Sequence, residues 1–563
     1  MALVAHSGEH SVMAKRQTRG AHRGRALLAG IMLLAMPIGA PAQGIVRAVD
    51  ARVGSEEERY LRALSLLSAE DHPTRASGGA RRTRSVVPLW SIRPIAAERL
   101  IRALATTDGP WQADTVHEPD GARLAGADAD VTFNSGLPST TPDGPAWNGR
   151  GMNARLAPVA RVKRSRWNLQ VAPMLWLAQN SAFDLAPTSG PFPWSDPAAP
   201  RSVDLPQRFG DESVARLDPG ESFIAFDWRH ARLALTSAAA HLGPGPEHAL
   251  LLQGNAGGIP RLEVATPRGL ETRIGTFGAV AGWGRTPHTA WAPDRRTGAL
   301  YSSFIGGTWR PRLLDDRFEV GMVRLTHRDW ERMTALELLV PFGSVYSAAG
   351  GSYGTETDNQ LASVFASVRV PESGLEFFGE FGKNDRSAGW RDQLQELEHN
   401  SAWLLGAQKV WRDDRRRLWS VVITTVSGAI APIDSFRGQA FFYEHGVMTQ
   451  GHTLRGQLLG TPLMQREGGG ELRLDRWDRN GRVGLLLGTR ALPNELAESI
   501  APENVRQEWS AMVDVMRWTR TGAWRARLGA IADIGHSPAR DAYSLHLAFG
   551  YSRRRVTAPE PRE

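Results

Sequence analysis

The 563-residue chain has no cysteine, which excludes disulfides, zinc–thiolate sites and a catalytic thiol. Lysine is almost missing: Lys15, Lys163, Lys383 and Lys409 stand in a chain whose other cations are arginines. That bias reads as a GC-rich genome rather than a selected arginine role. Outside residues 26–38, no apolar run approaches the roughly 18 residues of a membrane-crossing helix. A concentrated basic face is also missing. The arginines are scattered and alternate with apolar residues, which excludes nucleic acid as a partner.

What is present begins with an export signal. Lys15, Arg16, Arg19, Arg23 and Arg25 precede the apolar run ALLAGIMLLAMPI, and GAPAQ follows with Ala40 and Ala42 at small positions. This three-part layout is that of a secretory signal, 1–42, cut after Ala42, with Met13 an alternative start to Met1. Its removal lowers the formal charge from +8 to +4. The mature chain is then periplasmic, secreted or an outer-membrane barrel.

Residues 55–68 have a capping-box pattern in Ser55 and Glu58, followed by Tyr60, Leu61, Leu64 and Leu67 at helical spacing. A second helix is expected over 95–105, after Pro94. Together they make a small helical periplasmic unit, or plug, over 43–106. Residues 107–149, rich in Gly, Pro, Asp and Thr, read as a connector. From 150 to 551 the texture changes to segments of 8–13 residues with period-two alternation, between 16 and 20 candidate strands joined by turns. Residues 552–563 read as a disordered tail.

One segment sets the solvent on each side of these strands. In GLEFFGEFGK (374–383), alternation puts Leu375, Phe377 and Phe381 on one face and Glu376, Phe378 and Glu380 on the other. Lipid outside and water inside a barrel satisfy both faces. The lumen-facing charges are then Glu376 and Glu380, paired with arginines of neighbouring strands. Arg324, Arg473, Arg525 and Arg527 should also face the lumen, because lipid-facing arginine costs about 2–4 kcal/mol at mid-depth. Trp167, Trp283, Trp309, Trp411, Trp477, Trp518 and Trp524 fall at strand ends, as interfacial girdles require. The fold class is an all-β transmembrane barrel.

Several stretches, taken in order, resemble the capsule assembly protein Wzi family. They are YLRAL (60–64), SIRPI (91–95), DGPAWNGRG (143–151), APMLWLAQN (172–180), DPGESFIAFD (218–227) and HLGPGPEHALLLQGNAGGIP (241–260). LEFFGEFGKND (375–385), HNSAWLLG (399–406) and QGHTLRGQLLGTPL (450–463) complete the series. The resemblance implies about 18 antiparallel strands in the bacterial outer membrane, with the helical unit at the periplasmic end. It also implies a lectin-like, non-enzymatic role in attaching or organising capsular or other exported polysaccharide. Two departures stand out: Leu242 replaces an aromatic before GPG, and the last strand does not end the chain.

The residues themselves offer little catalysis. Glu376 and Glu380 lie roughly 13 Å apart along one strand, too far for the carboxylate pairs of glycosidases. His445 and His452 lack metal-ligand spacing, and no G-x-S-x-G or HExxH occurs. No cofactor or metal is expected. Sugar recognition needs aromatic faces beside donors and acceptors, which KNDRSAGWRDQ (383–393) and FFYEHGVMTQGHTLRG (441–456) offer. The candidate carbohydrate-binding residues are Asn384, Asp385, Trp390, Tyr443 and His445. The expected partners are polysaccharide, outer-membrane lipid and an export machinery, with the chain a monomer. A general diffusion porin and an outer-membrane hydrolase are the rival functions.

Overall fold

The architecture comes from a computed structural model. It describes residues 41–67, 87–105, 109–114, 120–139, 143–186, 188, 194–195, 203–292, 299–314, 317–332, 358–384, 400–428, 442–446, 448–466, 468–491, 507–537 and 540–554. Eighteen antiparallel strands close into one barrel. Closure joins the first, Gly121–Asn134, to the last, Arg540–Arg554. Two neighbouring strands are each broken mid-height. Trp167–Val171 continues as Met174–Ala178 after Pro173, and Val214–Asp218 continues as Phe223–Trp228 after Pro219. Proline lacks the ladder N–H, so the wall yields there.

The outer surface is a belt of exposed apolar side chains, among them Leu235, Met322, Val364, Phe377, Leu405, Ile423 and Leu528. Trp167, Trp228 and Trp309 lie near the short turns, where Trp411 and Trp419 stack at 5.9 Å. Exposed Trp403 and Trp509 lie toward the long loops. An apolar band between aromatic rims is what a bilayer selects. In outer-membrane barrels the short turns face the periplasm and the long loops face outward.

Several expectations need correction. The connector 107–149 holds the first barrel strand: Gly121–Asn134 presents Leu124, Phe133 and several alanines outward while Asp128 and Asp130 face inward. Its outer face was too weakly apolar to read as a strand. The last strand runs on to Arg554, and 555–563 lie outside the described residues. Trp477 and Trp518 are not girdle residues; both point inward and are buried against Tyr60 and Trp111. Arg324 shares the face of exposed Met322 and bonds the Gln360 side chain of the neighbouring strand. It therefore lies on the outer wall, where a polar partner offsets its burial, whereas Arg473 and Arg525 point inward to Asp475 and Asp130.

Water does not surround Glu376 and Glu380; protein does. A first helix, α1 (Glu56–Leu67), and a second, α2 (Glu98–Leu104), sit inside the barrel at its short-turn end. The Ser55 hydroxyl caps the Glu58 N–H, and the Glu58 carboxylate reaches back to Gly54 N–H at 2.8 Å. Three glutamates in the first turn suit the positive end of the helix dipole,. Tyr60, Leu61, Leu64, Leu100, Ile101 and Leu104 then pack with Val410, Leu418, Trp477 and Met516 of the wall.

Polar groups lock this plug to the wall. Glu376, 1% exposed, accepts from Arg62 of α1 at 3.1 Å and from Arg369 of the adjacent strand at 3.0 Å. Arg62 also donates to Pro244 O, and Arg93 donates to Gly245 O, Pro246 O and the Glu58 carboxylate. Wall residue Glu319 accepts from Ser91 N and from Arg310, whose guanidinium also caps the carbonyls of Val87 and Pro88. Buried charges persist only when paired and hydrogen-bonded.

Two outcomes test this arrangement. Leu405→Arg, on the lipid face, should lower stability by about 2–4 kcal/mol in vesicle-embedded protein, read from heat-modifiable gel mobility across a urea series. Arg62→Ala should cost about 1–3 kcal/mol by removing one of the two cations on buried Glu376, Arg369 remaining,. Its signature is faster protease cleavage of the plug with the barrel's gel mobility unchanged.

Candidate functional site at the long-loop end

At the outward end, chain segments fold down into the barrel before any surface is presented. The centre is Leu250–Leu252, wholly buried between Phe365, Phe378 and Leu404 of the wall and Phe442, Leu454 and Leu459 of a second segment. An apolar run inside a barrel leaves backbone groups in need of partners. Leu250 N–H donates to Glu380 at 2.9 Å, and Leu250 O accepts from the Tyr443 hydroxyl at 2.6 Å. Gln253 N–H donates to Leu459 O, and Leu242 N–H donates to Leu252 O. Gly243, at φ +157°, has no room for a side chain: a Cβ there would meet Ala249 at 2.7 Å and the Glu380 carboxylate at 3.0 Å.

A buried chain of neutral imidazoles ties the same layer to the wall. His452 bonds Leu251 O through Nε2, so that nitrogen carries the proton and Nδ1 accepts from His327 Nε2–H at 2.9 Å. His327 Nδ1 then accepts from the Ser302 hydroxyl at 2.7 Å. Each ring carries one proton, as burial favours. Burial pushes His452 down to about 4. It also pushes His241, aided by nearby Arg93 and Arg62, well below the ordinary histidine range. Burial alone would raise the Glu247 carboxyl, but Arg59 and Arg473 hold it well below the usual range.

The candidate sugar-binding residues fall within or beside this layer. Asn384, at a strand end, donates to Phe442 O and Glu444 O at 2.7 and 2.9 Å. Tyr443 is wholly buried, and His445 Nδ1 accepts Met448 N–H at 2.9 Å. The structure brings these three together as fastenings of the 442–446 turn, with no ring face open to a ligand. Asp385 and Trp390 lie outside the described residues, as does most of YSAAGGSYGTETDN (346–359).

A different group of side chains presents partly exposed aromatic faces above the plug. Trp147 and Phe209 meet at 4.8 Å, Trp194 and Trp291 pack edge to face at 5.7 Å, and the Arg208 guanidinium lies 5.6 Å from the Trp194 ring. Their positions are built from below. The buried Asn180 amide donates to the carbonyls of Phe209, Gly210 and Glu212, and Asn180 O accepts from Arg208. Gly210, at φ +71°, lets the Trp291 ring lie where a Cβ would come within 2.3 Å. Asp204 holds Thr289 through N–H and hydroxyl at 2.8 and 2.7 Å, and Gln207 N–H donates to Trp194 O at 2.6 Å. Sequence reasoning missed this group, which draws on three separate loops. The one signal was tryptophan in proline-bearing, non-strand contexts: PAWNG, PFPWSDP and TAWAP.

Trp147, Trp194 and Trp291 offer partly exposed planes that can stack a sugar ring, while Arg208, buried and bonded to Asn180 O and the Asp211 carboxylate, holds the loop beneath Trp194. Among the described residues, no group of three or more His, Cys, Asp or Glu could hold a metal. No helix among the described residues is long and apolar enough to cross a membrane.

Closed wall, lipid belt and internal plug define a plugged transmembrane β-barrel of the outer-membrane type. The fold is similar to that of Wzi, an Escherichia coli outer-membrane protein involved in group 1 capsule assembly and described as a carbohydrate-binding β-barrel. The likeness has a TM-score of 0.58 at 13% identity and covers 90% of this chain and 99% of that one. More distant likenesses are to Pseudomonas aeruginosa OccK5 (TM-score 0.39, 9% identity, 77% of this chain and 98% of that one) and OprD (TM-score 0.35, 8% identity, 76% and 93%). No protein-family model matches the chain, and no curated protein does.

The histidines set a pH dependence. Between about pH 4 and 6.5 the unfolded chain protonates the His452 ring while the folded chain does not. The unfolded state therefore binds more protons, and stability falls as pH drops through that window. Protease protection of 442–466 should weaken from pH 7.5 toward 5, and His452→Gln should flatten part of that slope.

Proposed function

We propose that this barrel binds an exported surface polysaccharide at its outward end and holds it at the cell surface without catalysis. The observation that carries the reading is the loop-borne cluster of Trp147, Trp194 and Trp291 above a filled lumen. Partly exposed stacking faces suit a glycan, and the filled lumen suits an organiser better than a diffusion channel. The carbohydrate binding described for the E. coli barrel of the same fold supports it. A hydrolase would need a nucleophile and base in reach of each other. The loop cluster supplies neither.

The test is binding of the detergent-folded protein to polysaccharide from the producing cell, with single-channel conductance in parallel. Saturable binding with no conductance is expected. Trp194→Ala and Trp291→Ala should each weaken binding by about 1 kcal/mol, roughly fivefold, through lost ring stacking. Conductance without binding would replace the proposal with a porin.

A further inference from the structure

A second site opens at the opposite end. Between the plug and the broken part of the wall lies a cavity of about 780 Å³, within the range of small-ligand pockets. Turn residues Ser165, Arg166, Arg229 and Arg268 form part of its rim, which sets its mouth on the short-turn side, the periplasmic side of an outer-membrane barrel,. Its inner limit is closed by Val53 of the plug and by Ala238 and Ala239.

The lining is lopsided in charge. Among the described residues, eleven basic residues line it against six acidic ones, and Asp50 and Asp128 behind the lining pair with Arg47, Arg161 and Arg52, so the excess of cations lies toward the mouth. Several of the acids are already committed within the lining. Asp227 takes Arg232 at 2.6 Å, Glu263 takes Arg261 at 2.6 Å, and Asp120 takes Ser165 N–H at 3.0 Å. The deeper cations are fixed in place. Buried Arg161, for example, is held by Gln170 and by Val49 O, both at 2.7 Å. Arg102, Arg166, Arg229 and Arg268 are exposed. Phe223 is the one aromatic residue of the lining. Low-dielectric walls focus the field of such a charge excess and concentrate anions at the mouth. Guanidinium forks match carboxylate and phosphate oxygens. A neutral sugar would find little stacking surface.

We propose that this vestibule is a binding site for a multiply charged anion of oligosaccharide size, entering from the periplasmic side. The site is distinct from the outward aromatic cluster, and the inference does not depend on that cluster's role. Carboxylate-bearing and phosphate-bearing ligands share the chemistry.

The experiment titrates the full-length, detergent-folded protein by calorimetry with hexagalacturonate, inositol hexakisphosphate and neutral maltohexaose. Wild type is compared with Arg166→Glu/Arg268→Glu, whose exposed positions leave the fold intact by heat-modifiable mobility. Trp194→Ala/Trp291→Ala serves as the control for the other end. Saturable binding of one or both charged probes is expected, weakened about tenfold by the double reversal and by added salt, and unchanged in the tryptophan variant. Which charged probe binds names the source as carboxylate or phosphate. Equal binding of maltohexaose, binding unaffected by the reversal, binding lost in the tryptophan variant, or no binding by either charged probe would each overturn the assignment.

Discussion

An eighteen-stranded barrel encloses more space than its wall side chains can fill, and the rest of this structure answers that constraint. The chain fills its own lumen twice, from the short-turn end with two helices and from the long-loop end with Leu250–Leu252 and the 442–466 segment. Each filling carries backbone and charge into a closed interior. Each therefore needs polar partners on the wall. Glu376 and Glu380, four residues apart on the same face of one strand, supply them: the first to Arg62 of the helical plug, the second to the Leu250 N–H of the loop plug. One strand thus meets both layers.

This explains why the inner wall is mixed rather than polar. Phe304, Val323, Phe365, Phe378 and Leu404 all face inward, where a water-filled lumen would penalise them,. They form the bed on which the loop plug packs. The charged residues between them are seams. Such seams are costly to break and add little net stability, so their value lies in fixing how the plug sits. A fixed plug in turn gives the outward loops a firm base, and Asn180, Asp204 and Gln207 pass that order to Trp194, Phe209 and Trp291.

The stretches that carry the family resemblance come together in space. Arg62 of YLRAL and Arg93 of SIRPI both donate to carbonyls of GPGP, while His452 of QGHTLRG reaches the LLLQ run. Read singly, each was a barrel-compatible string or a turn. The turn at Gly243 and Gly245 packs against wall residues Glu380 and Phe378.

The sequence by itself determined the barrel. Alternation of apolar and polar residues over many short segments pointed to a barrel, and Phe377 against Glu376 marked its lipid face, though not the protein that fills its lumen. It also determined α1, through Ser55 and the leucine spacing. What it left out is what depends on distance along the chain. The strand Gly121–Asn134 was missed because small alanines separate Leu124 from Phe133 and a bulge between Leu124 and Gly126 breaks the period-two alternation. Trp477 and Trp518 were misassigned because strand-end position does not say inward or outward once a plug is present. Asn384, Tyr443 and His445 were placed in open loops because contacts such as Asn384 with Phe442 and Tyr443 with Leu250, 58 and 193 residues apart, leave no local mark. Only the tertiary structure decided that the lumen is dry around the glutamates and that the outward aromatic surface comes from three distant loops, because those facts are contacts rather than patterns.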